Sequence, residues 1–201
     1  MALSFFIKKE DPKTILLLWE GEVWREVCKS LFLSDLKKFS PHLSWEEFLT
    51  HFTQLEEKIG KRYSGYLLSQ RNFLSSELAA KLVSKGLCPK SAQAVVQYCC
   101  EQGFLNDEEA VQRLIAKNLR KGISAKALFY KLKAKKGIDE ALLRKHLSDL
   151  ALPDSNTLQI WLGKNAHKMD RSDPHAMKKL MAKLCRKGFS YELVRVALRD
   201  I

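Results

Sequence analysis

From residue 107 onward, apolar side chains return at helical intervals. Val111, Leu114, Ile115 and Leu119 form one stripe behind an acidic first turn, Asp107-Glu108-Glu109, with Asn106 as its cap. This predicts a helix over 107–121 that Gly122 ends. Ser124 caps a second helix, whose Ala125, Leu128, Phe129 and Leu132 recur at i, i+3, i+4 and i+7 up to Gly137. Asp139 opens a third, turning Leu142, Leu143 and Leu147 inward. After the break 151–156, three more helices are expected at about 157–168, 174–187 and 191–200. Asp173-Pro174 supplies an N-cap with proline in the first turn, and Ser190 caps the last of them. Upstream, the same pattern predicts helices at about 76–85 and 89–101, the second opened by Pro89.

One phrase recurs through these helices. Lys81-Leu82-Val83-Ser84-Lys85-Gly86-Leu87 returns at Lys131-Leu132 to Lys136-Gly137-Ile138, and again as Lys183-Leu184-Cys185-Arg186-Lys187-Gly188-Phe189. Gly86, Gly137 and Gly188 stand 51 residues apart. A fixed period of this length signals a repeat architecture, whose units bury their apolar faces by stacking. The expected fold is all-α: three tandem three-helix repeats at 56–105, 106–152 and 153–201, forming a curved elongated stack behind an N-terminal extension over 1–55.

The extension is different in kind. Thr14 to Trp19 and Glu22 to Val27, about Glu20-Gly21, read as a β-hairpin, although Val23-Trp24-Arg25-Glu26-Val27 does not alternate cleanly and a short buried helix competes. Ser44-Trp45-Glu46-Glu47 is a capping box. Phe48, Phe52, Leu55 and Ile59 follow at helical spacing, Gly60 is expected to break or kink that helix, and Tyr63, Tyr66 and Leu67 to begin the next.

Charge adds a direction to this picture. The net charge is +12, yet residues 1–55 hold 7 Lys+Arg against 8 Asp+Glu. The excess lies in the repeats and points to a nucleic acid, an acidic protein or a membrane surface as partner. No run approaches the roughly 20 apolar residues of a membrane span. Five cysteines without a Cys-x-x-Cys pair, and no signal peptide, predict reduced thiols in a cytoplasmic protein.

The densest cationic segment is the candidate site. On the expected helix 107–121, Arg113, Lys117, Arg120 and Lys121 sit at i, i+4, i+7 and i+8, which places four cations on one face. Lys126, Lys133 and Lys136 continue the series, with Tyr130 among them, and no acid falls between Lys117 and Lys136. A merely solvated face is the competing account, but like charges gathered without relief repel, and a binding role explains them. Other chemistry is thin. His167, Asp170, Asp173 and His175 are close in sequence, but Asp173 is better used as a cap, so no metal is expected. Gly60-Lys61-Arg62-Tyr63-Ser64-Gly65 lacks the preceding strand and the Gly-Lys-Ser/Thr ending of a phosphate loop. No nucleophile–base pattern stands out, so neither an enzyme nor a cofactor is expected.

Several segments together resemble the bacterial regulatory protein RecX family: Gly103-Phe104-Leu105-Asn106-Asp107, Arg120-Lys121-Gly122, Lys136-Gly137-Ile138-Asp139-Glu140 and Arg186-Lys187-Gly188-Phe189-Ser190-Tyr191-Glu192, with Leu78-Ala79-Ala80-Lys81-Leu82 upstream. The resemblance covers about residues 65–201. Asn106-Asp107 stands where the family usually has two aspartates, and Gln70-Arg71-Asn72-Phe73 where a more basic run is common. The resemblance implies a monomer that binds the RecA recombinase filament on DNA, lies in its groove, spans neighbouring protomers, and suppresses its ATPase, strand-exchange and co-protease activities. It leaves contact with DNA itself weak or indirect. The alternative from residues alone is a stand-alone DNA-binding protein of helix-turn-helix type. An RNA-binding role is weaker, because Tyr130 alone stands among the cations for stacking.

Overall fold

Three antiparallel strands open the chain in a computed structural model that describes residues 3–39, 43–135, 137–149, 154–165 and 173–199. The strands are β1 (Leu3–Ile7), β2 (Thr14–Trp19) and β3 (Glu22–Cys28), in the order β1-β2-β3. Glu20 and Gly21 both have positive φ, 51° and 91°, as a two-residue hairpin turn needs to match strand twist. The register of β2 on β3 shifts between Leu17 and Leu18: Leu17 faces Arg25, Leu18 faces Val23, and Trp24 is the extra residue. This bulge is why 23–27 does not alternate cleanly, and it settles the open choice in favour of a strand. Strand β1, not expected from the sequence, pairs Leu3 with Trp19 and Ile7 with Ile15.

Ten helices follow among the described residues, so the protein is mostly helical with a small sheet. Helix α1 (Lys29–Leu36), also unforeseen, buries Phe32 and Leu36. Helix α2 runs from Trp45 to Gln70 without interruption. Its capping box is formed: Ser44 Oγ accepts from Glu47 N at 3.3 Å, and Glu47 Oε2 accepts from Ser44 N at 2.9 Å. The expected break at Gly60 is absent. A Cβ there would lie 2.7 Å from Val95 Cγ2 and 2.8 Å from Leu87 Cδ2, so the glycine is a notch for α4, not a helix stop. Tyr63, Tyr66 and Leu67 therefore continue α2, which also contains the dismissed Gly60–Gly65 loop.

Helices α3 (Ser75–Val83) and α4 (Pro89–Glu101) complete a compact unit, Met1–Asn106. Its core stacks Phe32, Phe48, Phe52, Leu78, Leu82 and Val95 against the sheet residues Ile15, Leu17 and Val27. One buried carboxylate ties the layers. Glu56 of α2 accepts from Arg25 of β3 at 2.7 Å, from Cys88 N at 2.7 Å and from Ser91 Oγ of α4 at 2.8 Å.

The second unit, Asp107–Ile201, holds α5 (Asp107–Leu119), α6 (Ala125–Lys133), α7 (Glu140–Asp149), α8 (Asp154–Asn165), α9 (Pro174–Arg186) and α10 (Tyr191–Arg199). Helix α5 stops two residues before its expected end, and α8 starts at Asp154, three residues early. Ser124, Asp139, Asp173 and Ser190 accept from Ala127 N, Ala141 N, His175 N and Leu193 N at 3.2, 3.1, 2.8 and 3.3 Å, each opening the helix that the sequence assigned to it. Gly86, Gly137 and Gly188 follow α3, α6 and α9 with φ of 99°, 83° and 94°.

Candidate partner-binding surface

Two groups of cations on the second unit bear on a binding surface. The first is the segment singled out by spacing. Arg113 and Lys117 lie on the exposed side of α5, opposite the buried Val111 and Ile115. Arg120 and Lys121 are exposed but sit in the turn after α5, because the helix ends at Leu119. A single helical stripe of four is therefore not what forms. Arg113 is engaged with Glu109, one turn before it. Lys133, at the end of α6, pairs with Glu140 at 2.7 Å, and its Nζ lies 5.8 Å from the Phe129 ring. Lys133 and Arg144 together hold the Glu140 carboxyl below the usual range. Lys117, Arg120, Lys121 and Lys126 are exposed and have no ion-pair partner among the described residues. Lys136 lies outside the described residues.

The second group was missed by sequence spacing. The turn after α9 docks on the start of α6: Ser124 N donates to Lys187 O at 3.1 Å. A Cβ on Gly188 would stand 2.4 Å from Ser124 Oγ, so only glycine fits there. This docking brings Lys187 Nζ onto the Lys121 carbonyl, to which it donates. Lys183 and Lys187 each place Nζ 5.4 Å from the Trp161 ring centre. Lys131 Nζ donates to Asn118 Oδ1 at 3.0 Å. Burial, then the charges of Lys183 and Lys131, push the Lys187 ammonium below its ordinary pKa. Three lysines are thus gathered with no carboxylate partner among the described residues, an arrangement that an anion would relieve. The one signal in the sequence was the repeated phrase itself, which opens with Lys131 in one copy and Lys183 in the next.

Other candidates resolve simply. Asp173 is the cap of α9, while His167 and Asp170 lie outside the described residues. No group of His, Cys, Asp and Glu suited to a metal occurs among the described residues. Cys99 is buried, Cys100 exposed, and all five thiols are free. No described helix is long and apolar enough to cross a membrane.

Comparison with known proteins points one way. No family model matches the chain. It is 21% identical over 200 residues to the regulatory protein RecX of Caldanaerobacter subterraneus subsp. tengcongensis, covering 98% of each chain. It is 24% identical over 196 residues to that of Streptococcus mutans, covering 88% of this chain and 75% of the other. It is 25% identical over 132 residues to that of Chromohalobacter salexigens, covering 66% and 86%. Its fold is that of a crystal structure of a regulatory protein RecX, with a TM-score of 0.60 at 14% identity over 100% of this chain and 99% of the other. The crystal structure of RecX from Lactobacillus salivarius gives 0.52 at 19% identity over 72% and 96%. Together these similarities support the RecX family, and all three sequence relatives are called regulatory proteins.

Proposed function

We propose that this chain, a RecX-family protein by its similarities, is a non-enzymatic regulator that binds the RecA filament on DNA. It lies along the filament groove and restrains ATP turnover, strand exchange and co-protease activity, so that it modulates recombination, repair and the SOS response. The observation that carries this reading is the alignment with a regulatory protein RecX over 98% of both chains. The charge is consistent with it: residues 107–201 hold 21 Lys+Arg against 11 Asp+Glu. A groove lined by acidic side chains and DNA phosphates suits that excess.

The contacting residues in this proposal are Lys117, Arg120, Lys121 and Lys126, with Arg113, Lys133 and Lys136 beside them and Lys131, Lys183 and Lys187 added. The chain acts as a cytoplasmic monomer and needs no cofactor. The gathered lysines also favour a second reading, direct binding to DNA phosphates without RecA.

A coupled ATPase assay separates the two. Substoichiometric protein should slow RecA-dependent ATP turnover on single-stranded DNA, and Lys117→Glu with Arg120→Glu should weaken that effect while the protein stays folded. Full inhibition by the folded double variant would remove those residues from the surface. No effect on RecA from the same source, with tight binding to naked DNA, would replace the first reading by the second.

A further inference from the structure

Helix α9 carries more apolar surface than its own core uses. The core of the last three helices is Leu158, Leu162, Leu184, Phe189 and Val194, and α9 adds Leu180 and Met181 to its edge. Yet α9 also bears Met177 and Cys185, which with Met181 fall at i, i+4 and i+8 on one face. With Tyr191 and Leu198 of α10, this row lines an open groove of about 630 Å³. Tyr191 is 59% exposed, and Met177, Met181, Cys185 and Leu198 are half-buried, so the floor stays partly open among the described residues.

The chemistry of the groove selects its occupant. Lys178, Arg195 and Arg199 line it, and none has an ion-pair partner among the described residues. An apolar floor with an unneutralised basic rim fits an apolar row flanked by acids. Eight residues of helix span about 12 Å, long enough to seat two or three anchors of a facing helix. Thioether side chains adapt to varied partners, which suits a docking floor. A strand of nucleic acid would satisfy the rim but leave the methionines against phosphate and sugar. A second copy seated about a two-fold axis would bring Lys178, Arg195 and Arg199 against the same cations. We propose that the α9–α10 groove docks an acidic amphipathic helical segment of another protein, laid apolar face down. This surface is separate from the lysines around Trp161, and the proposal does not rest on the RecA reading.

The test uses the full chain and two labelled synthetic helix-forming peptides. One has leucines at i, i+4 and i+8 flanked by glutamates; the other has lysines in place of the glutamates. Fluorescence anisotropy should show saturable binding of the glutamate peptide alone. Met177→Glu and the double variant Arg195→Glu/Arg199→Glu should each weaken it by about tenfold or more, as loss of a central anchor does. The double variant should gain the lysine peptide. These positions are exposed or half-buried, and thermal unfolding checks that each variant is folded. Alkylation of Cys185, followed by mass spectrometry, should slow when the glutamate peptide is bound, while Cys100 reacts as before. No binding, equal binding of both peptides, undiminished binding in both variants, or an unprotected Cys185 would each overturn the proposal. So would self-association, or binding to anionic vesicles, that Met177→Glu abolishes, since the groove would then belong to a second copy or to lipid.

Discussion

The two units use their apolar and charged residues in different ways. In residues 1–106, Lys+Arg number 14 and Asp+Glu 12, whereas in 107–201 they number 21 and 11. The first unit gathers its rings into one core, although Phe6, Val23, Tyr66 and Phe104 stay exposed. Its rings meet at 4.8 Å for Trp19 and Trp45, 5.1 Å for Trp24 and Phe52, and 5.5 Å for Phe48 and Phe52. The last helices of the second unit do the opposite: α9 and α10 each fully bury one described side chain, Leu184 and Val194, and leave Tyr191 and Val196 outward. Apolar surface that is enclosed contributes stability, and apolar surface left beside unpaired cations is available to a partner. The first unit packs its aromatic rings against one another, and the last helices of the second leave apolar side chains beside cations.

The comparison breaks most easily at the rings. Phe52→Ala should cost about 3–5 kcal/mol, because Phe52 is 1% exposed and wrapped by Trp24, Phe32 and Phe48. Met177→Ala in the open groove should move stability by less than about 0.5 kcal/mol. Urea unfolding followed by far-ultraviolet circular dichroism reads both costs, since helices of both units contribute to the signal. Equal costs at the two positions would erase the distinction.

The buried carboxylate comes next. Glu56→Ala should cost about 2–3 kcal/mol, because Arg25, Cys88 N and Ser91 Oγ all lose their acceptor inside the first unit. Glu56→Gln keeps one acceptor oxygen for Cys88 N and should cost less. If alanine and glutamine cost the same, the hydrogen bonds are not what ties the sheet to α2 and α4.

The repeat glycines sharpen the contrast within one motif. Gly188→Ala should cost about 2 kcal/mol, combining a φ of 94° with a Cβ placed 2.5 Å from that of Ala127. Gly137→Ala, strained by its φ of 83°, should cost about 1 kcal/mol. A Gly188 variant as stable as the parent would mean that the turn after α9 does not need its seat on α6.

How much of this was legible follows from where the information sits. Helices opened by Ser44, Ser124, Asp173 and Ser190 were readable because cap and periodicity are local, as are the glycines that follow α6 and α9. Gly60 misled because a glycine in a helix reads the same whether it breaks the helix or admits Val95 from 35 residues away. Strand β1 was too short to declare itself without β2 beside it, and α1 has almost no amphipathic signal to read. Spacing found the exposed Lys117 and Lys126, but it did not foresee that Glu109 and Glu140 engage Arg113 and Lys133. The lysines at 131, 183 and 187 meet only through the docking of one turn on another helix, which no local pattern encodes.

The smallest effect tests whether those lysines are held together against their own repulsion. Lys187 sits below its ordinary pKa in the fold, from burial first, then Lys183, then Lys131. A folded pKa below the unfolded one means that folding disfavours the charged ammonium. That cost is fully present below the folded pKa, shrinks as pH rises through it, and is gone once both states are neutral above about 10.5. Lys183→Gln removes one of the two repelling charges, so the Lys187 pKa should rise toward its ordinary value. Stability at neutral pH should change by no more than about 0.5 kcal/mol, since solvent screens much of the repulsion. Nitrogen-detected NMR of the lysine ammonium groups over the alkaline range measures the shift directly. Inorganic phosphate or a short single-stranded oligonucleotide, if seated among the three lysines, should raise the Lys187 pKa in the same direction. A pKa that moves for neither the variant nor the anion would show that the three charges are too far apart to act as one site.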